Sequence, residues 1–235
     1  RQGPPGQVWG VHGRTLGTFL HARVALRTKA KIAAGSVPDL ARRSDRIDDV
    51  TEIADLVGER LTIGLPGPTL SDADIRLFRD TRAAGLILYR RNFETPEGLA
   101  TMLDRLDSAL GRRVLVSTDH EGGRIVMIGR GTTIFPDNLA VGTAGEEAFA
   151  ARQGLIEARE MRRHGVDLTL GPCLDVLTDR YSPNIGIRSY GKDPKLVSRY
   201  GVARIRAQMR GGLSACPKHF PGKGHSPLDG DLNLP

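Results

Sequence analysis

From Ile47 onward the chain alternates short apolar runs with amphipathic stretches, whereas residues 1–46 sustain no period of either 2 or 3.6. The apolar runs at 60–65, 85–89, 113–117, 166–170 and 213–216 predict five strands. Between them, apolar residues at helical spacing predict helices over 71–84, 96–110, 143–165 and 194–209. In the first of these, Ile75, Leu77 and Phe78 lie near one another. The third is the best marked, since Thr143-Ala144-Gly145-Glu146 fits a capping box at its start and Gly165 a stop at its end.

Five strands alternating with four helices predict a parallel sheet wound by right-handed crossovers. A doubly wound sheet is complete with five strands, whereas a barrel needs eight strands and ~250 residues. Residues 60–235 number only 176, short of a full barrel. The polar residues nevertheless favour the barrel, because they fall just after the ends of several different strands. Asp119-His120-Glu121-Gly122-Gly123 follows the third, Asp175 the fourth, and Lys218-His219 the fifth. In a barrel those ends converge on one pocket. No Gly-x-Gly-x-x-Gly follows the first strand, which weakens a dinucleotide-binding reading. The expected fold is therefore α/β of the (β/α)8 TIM-barrel type, incomplete, with about five of the eight units.

Composition narrows the class further. At 39% hydrophobic and 26% charged the chain is not compositionally disordered, and Cys173 and Cys216 form one disulfide at most. The apolar runs all fall short of the ~20 residues of a membrane span. The net charge of +7 suggests nucleic acid until it is divided along the chain. Residues 1–46 hold nine basic and two acidic side chains, and the remainder holds 25 of each. The region that looks folded thus has no excess charge with which to attract phosphate, and nucleic-acid binding by it is not expected. Residues 1–46, with Gly3-Pro4-Pro5-Gly6, read as a basic leader, disordered or non-native, or alternatively as a docking arm. The stretch Thr18-Phe19-Leu20 is broken by His21 and Arg23, so no export signal is recognised and a cytoplasmic location is favoured.

Four ordered segments carry a resemblance: Asp119-His120-Glu121-Gly122-Gly123-Arg124, Gly171-Pro172-Cys173-Leu174-Asp175-Val176, Ile187-Arg188-Ser189-Tyr190-Gly191, and Lys218-His219-Phe220-Pro221-Gly222-Lys223-Gly224. Together, over roughly residues 55–235, they resemble glycoside hydrolase family 3, and most of all its bacterial β-N-acetylhexosaminidases. The resemblance implies a barrel domain, 47–235, that hydrolyses terminal β-linked N-acetylglucosamine with retention, through a carboxylate nucleophile and a separate acid/base. It implies no metal and no organic cofactor. Asp119, Arg124, Arg188, Lys218 and His219 would bind the sugar, whose hydroxyls suit short charge-assisted hydrogen bonds.

Each of these residues has a plainer reading. Asp119 could cap the following turn, although Gly122-Gly123 permits close backbone approach to a ligand. Arg188 could be a solvated surface charge, Arg124 a salt-bridge partner, and Lys218 and His219 structural partners of Asp175. Asp175 itself reads as an orienting residue, and the two cysteines as small apolar fillers.

Two departures from the family pattern stand out. Where the hexosaminidases carry Asp-x-His after the Lys-His motif, this chain has Asp229-Gly230-Asp231. Either Asp231 is the acid/base, needing burial or the neighbouring Asp229 to raise its pKa, or His225 from the same loop replaces it, or protonation is impaired. The family's nucleophilic Asp would fall beyond Pro235, so a fragment with two open sheet edges, inactive by itself and catalytic only when complete, is expected. The alternatives are a β-glucosidase of the same family, a non-catalytic sugar-binding module, and a metal-dependent hydrolase using His120, Glu121, His219 and His225. The last lacks compact ligand spacing. The oligomeric state is not legible.

Overall fold

A computed structural model describes residues 50–178 and 182–232. The basic leader expected over residues 1–46 lies outside the described residues.

The helices begin where short polar side chains satisfy free backbone N–H groups. Helix α1 spans Val50–Gly58 and was not anticipated. Helix α2, Asp72–Thr81, opens on a reciprocal capping box in which Asp74 N donates to Ser71 Oγ at 3.2 Å and Ser71 N to Asp74 Oδ2 at 2.8 Å. Helix α3, Pro96–Leu110, has Thr95 as its cap, Pro96 in its first turn, and Gly111 at φ 65° as its left-handed stop. Its Leu99, Met102, Leu103 and Leu106 recur every three or four residues and are all buried. Full burial contributes roughly 1.5–3 kcal/mol for each such side chain.

Those side chains pack in one core with Phe78 of α2, with Leu86, Leu88 and Val116 of the sheet, and with Val114 just outside it. The sheet consists of β1 (Thr62–Gly64), β2 (Gly85–Leu88), β3 (Leu115–Thr118), β6 (Leu168–Thr169) and β7 (Ser214–Ala215), all parallel. Their spatial order is β1-β2-β3-β6-β7, which is simply their order along the chain. A doubly wound sheet reverses direction at a switch point, whereas this one winds a single way, as a barrel wall does. Among the described residues the sheet does not close, and β1 and β7 form its edges. Open edges of this kind matched the expectation of an incomplete barrel.

All five strands appear where the apolar runs put them, though β6 and β7 are only two residues long. A small antiparallel hairpin, β4 (His120–Gly122) and β5 (Ile125–Val126), follows β3 and was missed because it is too short to show a period. The helix expected over 143–165 is instead two. Helix α4 spans Asn138–Ala144 and α5 spans Glu147–Arg163, separated by Gly145 at φ 79°. Thr143 does not cap the second helix; its Oγ1 donates to Leu139 O at 2.7 Å, one turn back. The apparent capping box thus belonged to the end of one helix rather than the start of the next. Helix α6, Pro194–Arg210, starts on Asp193 and packs along α5.

Candidate active site

The C-terminal ends of β3, β6 and β7 deliver the polar residues. Beyond β3 the chain stays extended through β4, so alternate side chains face opposite ways. Asp119 and Glu121 share a side, and His120 is buried with neither ring nitrogen hydrogen-bonded.

Glu121 is the centre of the arrangement. Its carboxylate, only 2% exposed, accepts both Arg188 Nε at 2.9 Å and Arg188 Nη2 at 2.8 Å, a bidentate fork, and Lys218 Nζ lies 2.7 Å away. Lys218 also pairs with Asp119, so the segment after β3, the segment after β7 and the loop before α6 meet through four charged side chains. Arg188 Nη1 donates to Asn184 O at 3.0 Å and Oδ1 at 3.1 Å, while Nη2 lies 3.3 Å from His219 Nε2. With its donors so engaged, Arg188 is a buried structural hub and not the solvated surface charge of the plainer reading. Asp119 and Lys218 are half-buried and keep hydrogen-bonding capacity for a ligand.

His219 is fixed from its other side. Its Nδ1 lies 2.6 Å from Asp175 Oδ2, and Asp175 also accepts Cys173 Sγ at 3.1 Å and Lys223 N at 2.5 Å. Burial pushes the Asp175 carboxyl up, but the donors His219, Lys223 and Cys173 outweigh it and hold it at about 2. An anion at that position makes Nδ1 the protonated nitrogen and turns Nε2, as acceptor, toward Arg188. Asp175 is thus the orienting residue the sequence suggested, for His219 but not for Lys218. Cys173 is more than an apolar filler: burial, and then the Asp175 charge, push its thiol up to about 12, so it donates as S–H. For Glu121 burial again raises the carboxyl, yet the Arg188 hydrogen bonds and the Lys218 charge bring it below its ordinary value.

The loop that follows closes over the cluster. Asn184 Nδ2 donates to Asp229 Oδ1 at 2.7 Å and to Asp231 Oδ2 at 3.0 Å, tying both carboxylates to the residue that holds Arg188. Asp231 N donates to Asp229 Oδ1 at 3.0 Å, and this donor and then Asn184 hold the Asp229 carboxyl below its usual value. The Asp231 side chain is 74% exposed and lies 3.7 Å from Lys223 Nζ. Arg124 is exposed and donates to Asn184 O at 2.9 Å and Pro183 O at 3.4 Å, backbone partners rather than a carboxylate. A cavity of about 580 Å³ opens beside this loop, with Asp175, Thr178, Lys218, His219, Phe220 and His225 among its walls.

Several sequence expectations change here. Gly122 and Gly123 both adopt positive φ, but a Cβ on Gly123 would lie 2.0 Å from Asp137 Oδ1, so the space they leave is filled by protein rather than held open for a ligand. The metal set His120, Glu121, His219 and His225 does not assemble; among the described residues the group of ligand atoms that does is Cys173, Asp175 and His219. Two residues of the cluster stood outside the expected sugar-binding set: Glu121, weighed only as a metal ligand, and Asn184, not weighed at all. Glu121 could have been found from its alternation with Asp119 in an extended segment, whereas Asn184, in a loop without pattern, carried no signal.

The fold and the charged cluster together define a barrel-type α/β domain that gathers its functional side chains at the C-terminal ends of parallel strands. The description of the family model matched over residues 53–235 is Glycosyl hydrolase family 3 N terminal domain. The chain belongs to this family. It is 33% identical over 181 residues to a β-hexosaminidase of Thiobacillus denitrificans, covering 74% of this chain and 50% of that one. A glycoside hydrolase family 3 β-N-acetylglucosaminidase from Paenibacillus sp. superposes with a TM-score of 0.72 at 32% identity, over 75% of this chain and 34% of the other. NagZ from Neisseria gonorrhoeae, solved with N-trifluoroacetyl-D-glucosamine, gives 0.65 at 29%, over 70% and 51%. The chain spans about half the length of the curated relatives it matches.

Proposed function

We propose that this domain binds the terminal β-linked N-acetylglucosamine of a glycoside and serves its hydrolysis with retention. The observation that carries the reading is the convergence of Asp119, Glu121, Arg188 and Lys218 on one point, reached from three separate segments. A neutral sugar presents hydroxyls, and a fixed group of alternating charges offers both donors and acceptors to them without net charge. Asp119 accepts from hydroxyls, Lys218 donates to them, and His219 accepts or donates at the cavity wall. Arg188, saturated by protein partners, positions this group, and Arg124 steadies the Asn184 carbonyl beside it.

A general acid must protonate the leaving oxygen. Asp231, Asp229 and His225 are the candidates from the sequence. Asp229 is held as an anion and Asp231 is largely exposed, whereas His225 lines the same cavity as Lys218 and His219, which favours His225. The Asp229–Asp231 pair then anchors the loop through Asn184. Retention also requires a carboxylate nucleophile, which the family resemblance puts on a later strand than the five described.

Titration of the 235-residue protein with N-acetylglucosamine, followed by amide chemical shifts, tests the reading. Saturable binding that weakens roughly tenfold or more in Arg188→Ala is expected, equal to a loss of about 1.4 kcal/mol. Tighter binding of glucose would favour the β-glucosidase alternative, and saturation by neither sugar would overturn the proposal.

A further inference from the structure

Residues 47–235 sum to no net charge, yet the charge is not spread evenly over them. Helix α5 carries Arg152, Arg159 and Arg163, and helix α6 carries Arg199, Arg206 and Arg210, all of them exposed. Both triplets step by seven and then four residues, so on an α-helix each lies within about 20° of a single line roughly 16 Å long. The two helices run the same way, since each leads from one parallel strand to the next. They also pack closely, because a Cβ on Gly154 would lie 2.5 Å from the Arg204 carbonyl oxygen and one on Gly211 2.5 Å from Ala158 Cβ. Axes of packed helices sit about 8–10 Å apart, which joins the rows into one patch. Glu157, Met161, Tyr200 and Arg204 are buried on the opposite sides, so both rows face outward.

Carboxylates do not neutralise this patch. Helix α6 contains none. In α5, Glu157 is buried against Arg204 and Glu160 is taken by Thr133, which leaves Glu147, 3.4 Å from Arg199, at the N-terminal end. Arg163 and Arg210 complement the negative C-terminal ends of their helices, a structural role that the other four, lying further back, do not have. Arg159 and Arg163 repel each other at a spacing of four residues, as do Arg206 and Arg210. Helix α2, by contrast, mixes Arg76 and Arg79 with Asp72, Asp74 and Asp80. We propose that the outer face of α5 and α6 docks on an anionic lipid bilayer.

Exposed apolar side chains favour lipid over other polyanions. Phe149, Val202 and Met209 lie beside the arginine rows, with Met209 64% exposed. On a bilayer the guanidiniums meet lipid phosphates while these three enter the headgroup boundary, as the apolar positions of interfacial helices do. A nucleic-acid backbone offers phosphates but no apolar layer beneath them. Both helices begin on the side of the sheet where the strands end, so a bilayer along their flank leaves the Asp119–Lys218 cluster open to solvent. Lipid docking stands apart from the sugar-binding reading, and neither depends on the other.

Cosedimentation with lipid vesicles tests this face. The 235-residue protein should bind vesicles of phosphatidylcholine containing about 30% phosphatidylglycerol, ignore pure phosphatidylcholine, and be released as salt rises. Arg152→Gln/Arg159→Gln/Arg206→Gln, which keeps good helix formers on the surface, should weaken binding roughly tenfold or more. Arg60→Gln/Arg76→Gln/Arg105→Gln removes the same charge from other elements and should weaken it less than about threefold. Phe149→Ser/Met209→Ser, with every charge kept, should weaken it about threefold or more. The basic residues 1–46 are present in every variant, so binding through them would leave the first triple variant at wild-type affinity. That result, no binding to anionic vesicles, equal binding to neutral ones, or equal losses in the two triple variants would overturn the docking face. Unchanged affinity in Phe149→Ser/Met209→Ser, or duplex DNA bound more tightly than the vesicles at the same salt, would overturn its assignment to lipid.

Discussion

His120 shows what a single buried side chain does to the pH dependence of the whole. Burial first, and then the Arg204 charge, lower its imidazole from 6.5 to about 4. The unfolded chain therefore takes up a proton that the folded one refuses. The resulting stability is present in full above pH 6.5 and is lost as the pH falls through 4. The shift amounts to about 3 kcal/mol. His164, also lowered by burial, acts in the same direction, whereas Asp175 contributes only below its ordinary value of 3.8. Urea unfolding at pH 7 and pH 4.5 should show the loss, and His120→Leu should remove most of it, since both ring nitrogens lack partners. An equal loss in the variant would contradict the assignment. At this scale the sequence was informative wherever a charged residue followed a strand, as with Asp119, Lys218 and His219. It was mute about which partner each would meet, because Asn184 and Glu121 are brought in by loop closure and by burial.

Between elements, the strongest coupling is the buried pair joining α5 to α6. Arg204, fully buried, donates to Glu157 Oε2 at 2.7 Å, to Asn138 Oδ1 at 2.8 Å and to the Glu121 carbonyl at 2.6 Å. Asn138 Nδ2 in turn donates to the Arg188 carbonyl at 2.8 Å, so one guanidinium spaces the backbones of both Glu121 and Arg188. Arg204→Met should cost about 3–5 kcal/mol by leaving Glu157 buried and unpaired, and Arg204→Met combined with Glu157→Met should recover most of it. Urea midpoints measure both, and additive losses would rule out the pairing. The α4–α5 break gives a second contrast. Gly145→Ala meets nothing within 4 Å and should lose only about 1 kcal/mol for its left-handed φ. Gly142→Ala should lose more, because its Cβ would lie 1.9 Å from the Tyr190 carbonyl oxygen. Thermal unfolding of the two proteins should rank them in that order. Local pattern failed at this break because a threonine followed by glycine and glutamate serves equally to end one helix or begin another.

For the whole molecule, the winding direction is readable in the sequence, since apolar runs and amphipathic stretches alternate and polar residues gather past the strand ends. Strand lengths are not, because β6 and β7 are defined by their neighbours rather than by their own two residues. No helix among the described residues is long and apolar enough to cross a membrane. The sheet brings residues nearly a hundred positions apart, Asp119 and Lys218, into one ion pair, and the sugar-binding account depends on that convergence. A crystal structure with N-acetylglucosamine bound tests it most directly. The account predicts the pyranose ring against Asp119, Lys218 and His219, with Glu121 still gripping Arg188; a sugar seated elsewhere, with those side chains untouched, would contradict it.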